Sequence, residues 1–484
     1  MDDREDADAV EPERAERELR SAESAGAGSE TLTRLIVRLS DAYRRRFWNL
    51  GNVADLDRAV AGYRRAAETD RHDPTERAND LAVVLTDRYD LTGDPDDLAA
   101  ATTAAETALV GAPGGSVAWA RYAATMVLCL WDRYDATGSL DDLDAAIDLG
   151  TRALAALPRE ERAWARLCSN VGMLRMDRYE RHGGDDDLQE AVALARRATT
   201  YAYEDDPELG GWYSNLGSAL LTRFGARFPG RVMPRPGDSV DLGDLEAAVA
   251  AYRRAIEVSP WGFAGRATFL ANLGNALSDL GEMYRLGGRP EHSRSALREA
   301  AEVLAEAVSL TPPTAPYLAS RLNVLGEAWR IISEETGAPG DIATARDSLR
   351  RSCDAGLVTA PEMTLAAAGN WMRWAVRRSA WDEAGEADGY LLRAAETLHL
   401  AQAVRRHREA WLVAWRGLTQ ESVYALAMKG RVPDAAVRLE RGRAILLSEE
   451  LGLARMSSQR LPEPLRDRYT RALERLESAL RGVE

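Results

Sequence analysis

From Leu81 to Pro113 the chain reads LAVVLTDRYDLTGDPDDLAAATTAAETALVGAP. Apolar residues at helical spacing give way to a Gly/Asp/Pro loop, and a second helical pattern follows. The chain then rewrites this stretch. Asp87-Arg88-Tyr89 returns as Asp132-Arg133-Tyr134 and as Asp177-Arg178-Tyr179, a step of 45 residues each time. One more step lands on Arg223-Phe224, and the leucines Leu98, Leu143 and Leu188 keep the same step. A fixed period of this length marks stacked supersecondary units, here helical hairpins.

The second helices share a code. Ala101, Ala105, Ala108 and Pro113 recur as Ala146, Gly150, Ala153 and Pro158, as Ala248, Tyr252, Ala255 and Pro260, and as Ala300, Leu304, Ala307 and Pro312. The spacing i, i+4, i+7 puts the first three on one face, where small residues let helices approach, and the proline stops the unit. Asp55, Asp97, Asp142, Asp187 and Asp244 each precede an apolar residue and read as N-caps. In the first helices Asn215-Leu216-Gly217 recurs as Asn272-Leu273-Gly274, with Asn170-Val171-Gly172 and Leu325-Gly326 as variants. Glycine inside a helix costs about 1 kcal/mol relative to alanine, so its repetition predicts a neighbouring helix packed on the missing side chain.

Leu-Gly in a first helix and Ala-x3-aromatic-x2-Ala-x4-Pro in a second resemble the tetratricopeptide (TPR) repeat. Leu216, Gly217, Ala248, Tyr252, Ala255 and Pro260 fall on its signature positions. The units run longer than the usual 34 or so residues. The excess lies in the DRYxxTGxxDDL segment, as in repeat arrays of large actinobacterial signalling proteins. The resemblance implies an all-α, right-handed α-solenoid of TPR-like hairpins. About eight units are expected over 31–430, with an insertion at 225–244 (GARFPGRVMPRPGDSVDLGD) that reads as a binding loop or a tolerated surface insertion. The units after Pro312 carry weaker repeat marks, as terminal units do. Residues 431–484 read as a helical cap or junction. There Leu439–Leu447 (LERGRAILL) resembles the segment that joins repeats to the protease domain in CHAT-type, caspase-like proteins; the chain ends about where that domain should begin.

Residues 1–30 hold eleven acidic and four basic side chains and include the stretch SAESAGAGS at 21–29. Over that window the composition predicts a disordered acidic tail with transient helix near Glu11–Arg20. The whole chain carries a formal charge of −15, which disfavours nucleic acid as a partner. No apolar run reaches the roughly 18 residues that span a membrane, and the charged N-terminus does not read as a signal peptide. With only Cys129, Cys168 and Cys353, far apart in sequence, a cytoplasmic setting is expected.

Candidate chemistry is sparse. His72, His182, His292, His399 and His407 lie beside no cysteine in a strand–loop setting, so the resemblance brings no catalytic pair to this chain. There is no GxxxxGK[ST], HExxH or CxxC motif, and the Asp runs at 96–97 and 185–187 read as helix starts. No catalytic, cofactor or metal residue is assigned, and a non-enzymatic scaffold is expected. The DRY arginines recur at one place in the unit, where each can pair with the Asp-rich start of its own second helix. Repetition in every unit marks architecture; a binding site should vary between units.

In the TPR family the first helices line a groove. The resemblance places Asn79, Ser169, Ser214, Ser218, Asn272, Asn275, Asn323 and Glu327 in its variable slots, as ligands for a protein or peptide backbone. The CHAT likeness implies an alternative to the scaffold, the regulatory or recognition half of a caspase-like protease whose catalytic domain is not in this chain, with that protease or its substrate as the partner. A second candidate surface is the cluster Trp371, Trp374, Arg377, Arg378, Trp411 and Trp415, because Trp and Arg are enriched at interface hot spots. Packing between irregular helices is the competing reading of the same tryptophans.

Overall fold

Helix boundaries follow local chemistry. The computed structural model describes residues 3–50, 52–70, 73–228, 234–235, 237, 240–259, 265–400 and 418–443. Asn52, Asp94 and Ser139 cap α3 (Val53–Thr69), α5 (Pro95–Gly111) and α7 (Leu140–Ala156), each side chain accepting a backbone N–H of the first turn. Gly93, Gly138 and Gly337 close α4 (Pro74–Thr92), α6 (Val117–Thr137) and α14 (Leu318–Thr336) in the left-handed conformation that glycine tolerates best. The aspartates expected as N-caps are not caps. Asp55, Asp97, Asp142 and Asp187 sit inside the first turn of their helices, where they serve the ion pairs described below.

The chain forms two compact units, 1–232 with 250–260 and 233–249 with 261–484. The first stacks α2 (Ser29–Leu50) with α3, α4 with α5, α6 with α7, and α8 (Arg162–His182) with α9 (Asp185–Thr200). It then sets α10 (Leu209–Gly225) against Tyr252 of α11 (Gly243–Val258). The second stacks α12 (Arg266–Leu286) with α13 (Pro290–Ser309), α14 with α15 (Pro339–Gly356), and α16 (Pro361–Arg377) with α17 (Trp381–Leu400). Two further helices follow in it, α18 (418–428) and α19, described over 432–443. Among the described residues there is no strand. The protein is thus an all-α array of TPR-like helical hairpins. First helices α4, α6 and α8 run to 19, 21 and 21 residues and second helices α5, α7 and α9 to 17, 17 and 16, so the first helix is the longer member of each pair.

First helices also touch the first helix of the next hairpin: α4 with α6, α6 with α8 and α8 with α10 in one unit, α12 with α14 and α14 with α16 in the other. Second helices make no comparable approach to each other among the described residues. First helices therefore form the more closely spaced, inner layer of each unit. The small-residue face of the second helices is what brings each pair together: Ala101, Ala105, Ala108, Ala146 and Ala153 are all fully buried. The repeated glycine does what its spacing predicts. A Cβ on Gly274 would stand 2.4 Å from Leu304, and one on Gly217 would stand 2.7 Å from the Tyr252 ring. The packing partner is the second helix of the same hairpin.

Each DRY arginine is a staple. Arg46, at the equivalent position in α2, grips Asp55 at 2.7 and 2.8 Å, Arg88 grips Asp97 at 2.7 and 2.5 Å, and Arg178 grips Asp187 at 2.7 and 2.6 Å. Arg133 makes the same two-pronged contact with Asp142. The bidentate fork fits a carboxylate plane and fixes the first helix to the start of the second. A third nitrogen reaches the preceding second helix: Arg88 to Asp57 at 3.1 Å, and Arg178 to Asp144 at 2.8 Å. Arg223 likewise reaches Gln189 at 3.0 Å.

The N-terminal segment departs from its expectation. Instead of a disordered tail it forms α1 (Asp3–Ser24), packed on α2. Ala15 and Leu19, four residues apart, are buried, and Leu19 joins Ile36 and Ala66 in a small core. Its acids meet arginines of α2 and α3: Glu11–Arg45, Glu13–Arg46, Glu18–Arg38 and Glu23–Arg65, at 2.6 to 2.9 Å. Glu13 stands to Arg46 as Asp57 stands to Arg88, so α1 takes the place of a preceding second helix. A charge count over 1–30 misses this because the matching positive charge lies on other helices.

Of the insertion at 225–244, the described part folds back on the C-terminal end of α12. The Gly237 N–H donates to the Leu286 carbonyl at 2.9 Å. Pro234, Val240 and Leu242 close a cavity of about 220 Å³ against Met283, Leu286 and Arg289. The expected cap over 431–484 is described only through α19, where the site of a Cβ on Gly442 is occupied by Thr419 of α18. Ala444 to Leu447 of the junction segment, and the rest of the chain to Glu484, lie outside the described residues.

Candidate functional site: the inner faces of the first helices

Within DRYD, residues one and four lie three apart and share a helix face, while the arginine points away from it. The staple arginines thus face the second helices, and the acids that flank them face the neighbouring first helix. In the first unit this puts Asp87 and Asp90 on α4, Asp132 and Asp135 on α6, and Asp177 and Glu180 on α8. Asp87 is neutralised by Arg44 of α2. Asp177 accepts the indole N–H of Trp131 from α6 at 3.0 Å. Asp132 has no such donor: its Oδ2 is buried and receives no hydrogen bond.

The environment follows from that arrangement. Burial, then the nearby charges of Asp90 and Asp135, raise the Asp132 carboxyl to about 7. Burial and then Asp135 raise Asp177 to about 6, against the pull of the Trp131 bond. Burial raises Asp80 to about 6 although Arg77 opposes it. Asp90, Asp135 and Glu208 are shifted upward too, mainly by burial, although their side chains are open to solvent.

Stability should therefore depend on pH in a set direction. A carboxyl whose folded value is raised binds its proton more tightly in the native state, so it destabilises the fold as pH rises from about 4 to 7. Asp142 and Asp187 act oppositely: their arginines lower them, and their contribution is lost only in stronger acid. The melting temperature should rise between pH 7.5 and pH 5 and fall below about pH 4. Asp132→Asn should stabilise by about 1–2 kcal/mol at pH 7.5, allowing for solvent screening, and flatten that gradient. Melting curves of both proteins across this range check it; an unchanged gradient would remove Asp132 as its source.

The groove residues expected from the family pattern are partly engaged elsewhere. Asn79 accepts the Thr125 hydroxyl at 2.8 Å, and Ser169, which is buried, accepts from Asn215 at 3.0 Å. Both bonds link one first helix to the next and tie the inner layer together. Ser214 is buried, and Ser218 shares a 3.0 Å hydrogen bond with the Tyr252 hydroxyl. Asn272 and Asn275 are half-buried on α12. On α14, Asn323 Oδ1 and Glu327 Oε1 are buried acceptors without a donor, one turn apart. The other Glu327 oxygen takes Arg330 at 2.8 Å, and Arg330 also holds Glu334, which Arg377 of α16 reaches at 3.1 Å. Asn323 and Glu327 are thus the two expected residues that keep unsatisfied acceptors on an inner face.

The second candidate surface is corrected. Trp371 and Trp374 are 0% and 1% exposed and form the core of α16 and α17. Arg378 lies 3.7 Å over the Trp374 ring and bonds Glu383, so it too belongs to the packing. Arg377 is exposed; Trp411 and Trp415 lie outside the described residues. Helical spacing alone does not tell a buried tryptophan from a displayed one. The three cysteines are also buried, and burial pushes each thiol up to about 12, far from a reactive thiolate.

Sequence reasoning missed the acidic column of α4, α6 and α8. Its signal was present, since DRYD, DRYD and DRYE repeat the first and fourth acids with the motif. The arginine between them drew attention because its partner lies in the same hairpin.

No protein-family model matches the chain, and no curated protein matches it. Solved structures of helical-repeat type do resemble it. A thermophilic TPR protein of Thermus thermophilus is 19% identical over 50% of this chain and 98% of that one, with a TM-score of 0.35. The apo quorum sensor NprR of B. thuringiensis is 12% identical over 84% and 97%, TM-score 0.45. An assembly chaperone of RpL4 is 15% identical over 64% and 98%, TM-score 0.38.

Proposed function

We propose that this protein is a non-catalytic interaction scaffold whose first unit holds an extended, cationic protein segment along the inner face of its first helices. The observation that carries the reading is the acidic column Asp90, Asp132, Asp135 and Asp177, in which Asp132 lacks any donor. Against the expectation that a binding site varies between units, the site here is the repeated motif itself: a row of carboxylates on successive hairpins presents acceptors at regular intervals, which suits the repeated donors of an Arg/Lys-rich chain. Such a segment would also offset what raises Asp132, which is burial first and then the charges of Asp90 and Asp135. In the second unit, Asn323 and Glu327 offer acceptors to the backbone N–H groups of the same class of partner.

The test is a titration with an unstructured Arg/Lys-rich peptide, followed by calorimetry at several salt concentrations. Binding should weaken as salt rises, because part of it is screened. The triple change Asp90→Asn, Asp132→Asn and Asp135→Asn should weaken it at least about tenfold, or 1.4 kcal/mol. Neutralising Glu291, Glu299 and Glu302 on the outer helix α13 should leave it nearly unchanged. Equal losses from both sets would reduce the effect to net charge and sink the proposal.

A further inference from the structure

The glycine of each first helix supplies a register. Five residues before it stand Leu167 (before Gly172), Trp212 (before Gly217) and Phe269 (before Gly274), all buried. In α14 the same slot, five residues before Gly326, holds Arg321, which is 6% exposed. A charged side chain thus occupies a core position that three other hairpins fill with apolar ones.

Arg321 has no counter-charge. Its Nη1 donates to the Thr311 hydroxyl and its Nη2 to the Thr268 hydroxyl, the latter at 3.0 Å. Its outer face lies 4.4 Å from the centroid of the Tyr317 ring, and Tyr317 is itself half exposed. No carboxylate acts on it, and burial lowers its proton affinity. The other buried arginine of the described residues, Arg438, sits against Asp388 at 2.9 Å. An uncompensated buried guanidinium is costly, and a rule broken locally without a compensating partner is where function is sought. A guanidinium has five N–H donors and two are used here, so its fork keeps donors for an oxyanion.

We infer that Arg321 anchors an oxyanion-binding site in the second unit, walled by Thr268 and Thr311 and roofed by the half-exposed ring of Tyr317, which takes a carboxylate or phosphoryl group. The Thr268 hydroxyl accepts from Arg321 and retains its own proton for the same anion. The site is independent of the acidic column: it lies in the other unit and selects the opposite charge.

The experiment is calorimetric titration of the full chain with inorganic phosphate and, separately, acetate, at constant ionic strength made up with chloride. One site should appear, and Arg321→Leu, which restores the residue found at 167, should weaken it at least tenfold. Stronger binding of phosphate points to a phosphoryl source, and stronger binding of acetate to a carboxylate; either supports the site. Arg321→Lys, which keeps the charge and loses the fork, should weaken it several-fold and serves if the leucine variant does not fold. Undiminished binding in the folded variants, or no saturable binding by the unaltered chain, would overturn the assignment.

Discussion

Trp371→Ala should cost about 3–5 kcal/mol, the range for removing a large aromatic from a core. Trp371 is 0% exposed, donates its indole N–H to Glu383 at 2.8 Å, and lies beside Tyr390 with Arg350 over its ring. The substitution opens a cavity between α16 and α17 and takes one donor from Glu383, which keeps Arg378. Because the chain has two compact units, denaturant unfolding should be followed by two probes, and the transition of the second unit should move. A displayed tryptophan would give the reverse pattern, with unfolding unchanged and only partner binding reduced. That outcome would restore the surface reading of the tryptophan cluster.

Arg46→Ala should be comparably damaging, about 3–5 kcal/mol, because it strands a buried charge. The Asp55 side chain is fully buried and Arg46 only 12% exposed. Without the guanidinium, Asp55 keeps only Arg58, at 3.3 Å from a largely exposed side chain. Glu13 of α1 loses its partner as well, so α1 should loosen together with the first hairpin. Hydrogen exchange would read both effects: protection should fall in α1, α2 and α3 and persist in α6 to α9. The double change Arg46→Met with Asp55→Leu should recover much of the loss, since an apolar pair of similar size carries no desolvation cost. If the single change costs under about 1 kcal/mol, the staple is no stronger than an ordinary surface ion pair.

Much of the architecture was legible because a repeat states the same local rule many times. The 45-residue step, the small-residue face of the second helices and the Leu-Gly of the first all describe contacts inside one hairpin. The DRY arginine was legible for the same reason, since its partner lies nine residues away at the start of the next helix. The aspartates were misread as caps because an acid at a helix start fits two roles. Which one it plays depends on whether an arginine of the first helix reaches it.

Contacts between hairpins were not legible. The sequence by itself determined the helix pairs, their order and their inward faces, because period and capping act over a few residues. Only the tertiary structure decided that α1 packs as a helix, that Trp371 is core, that Asn79 and Ser169 tie first helices together, and that the Asp132 Oδ2 atom and the Arg321 side chain stand buried without a counter-charge. Those outcomes depend on charges and surfaces brought together from distant parts of the chain, and no local pattern encodes the distance between them.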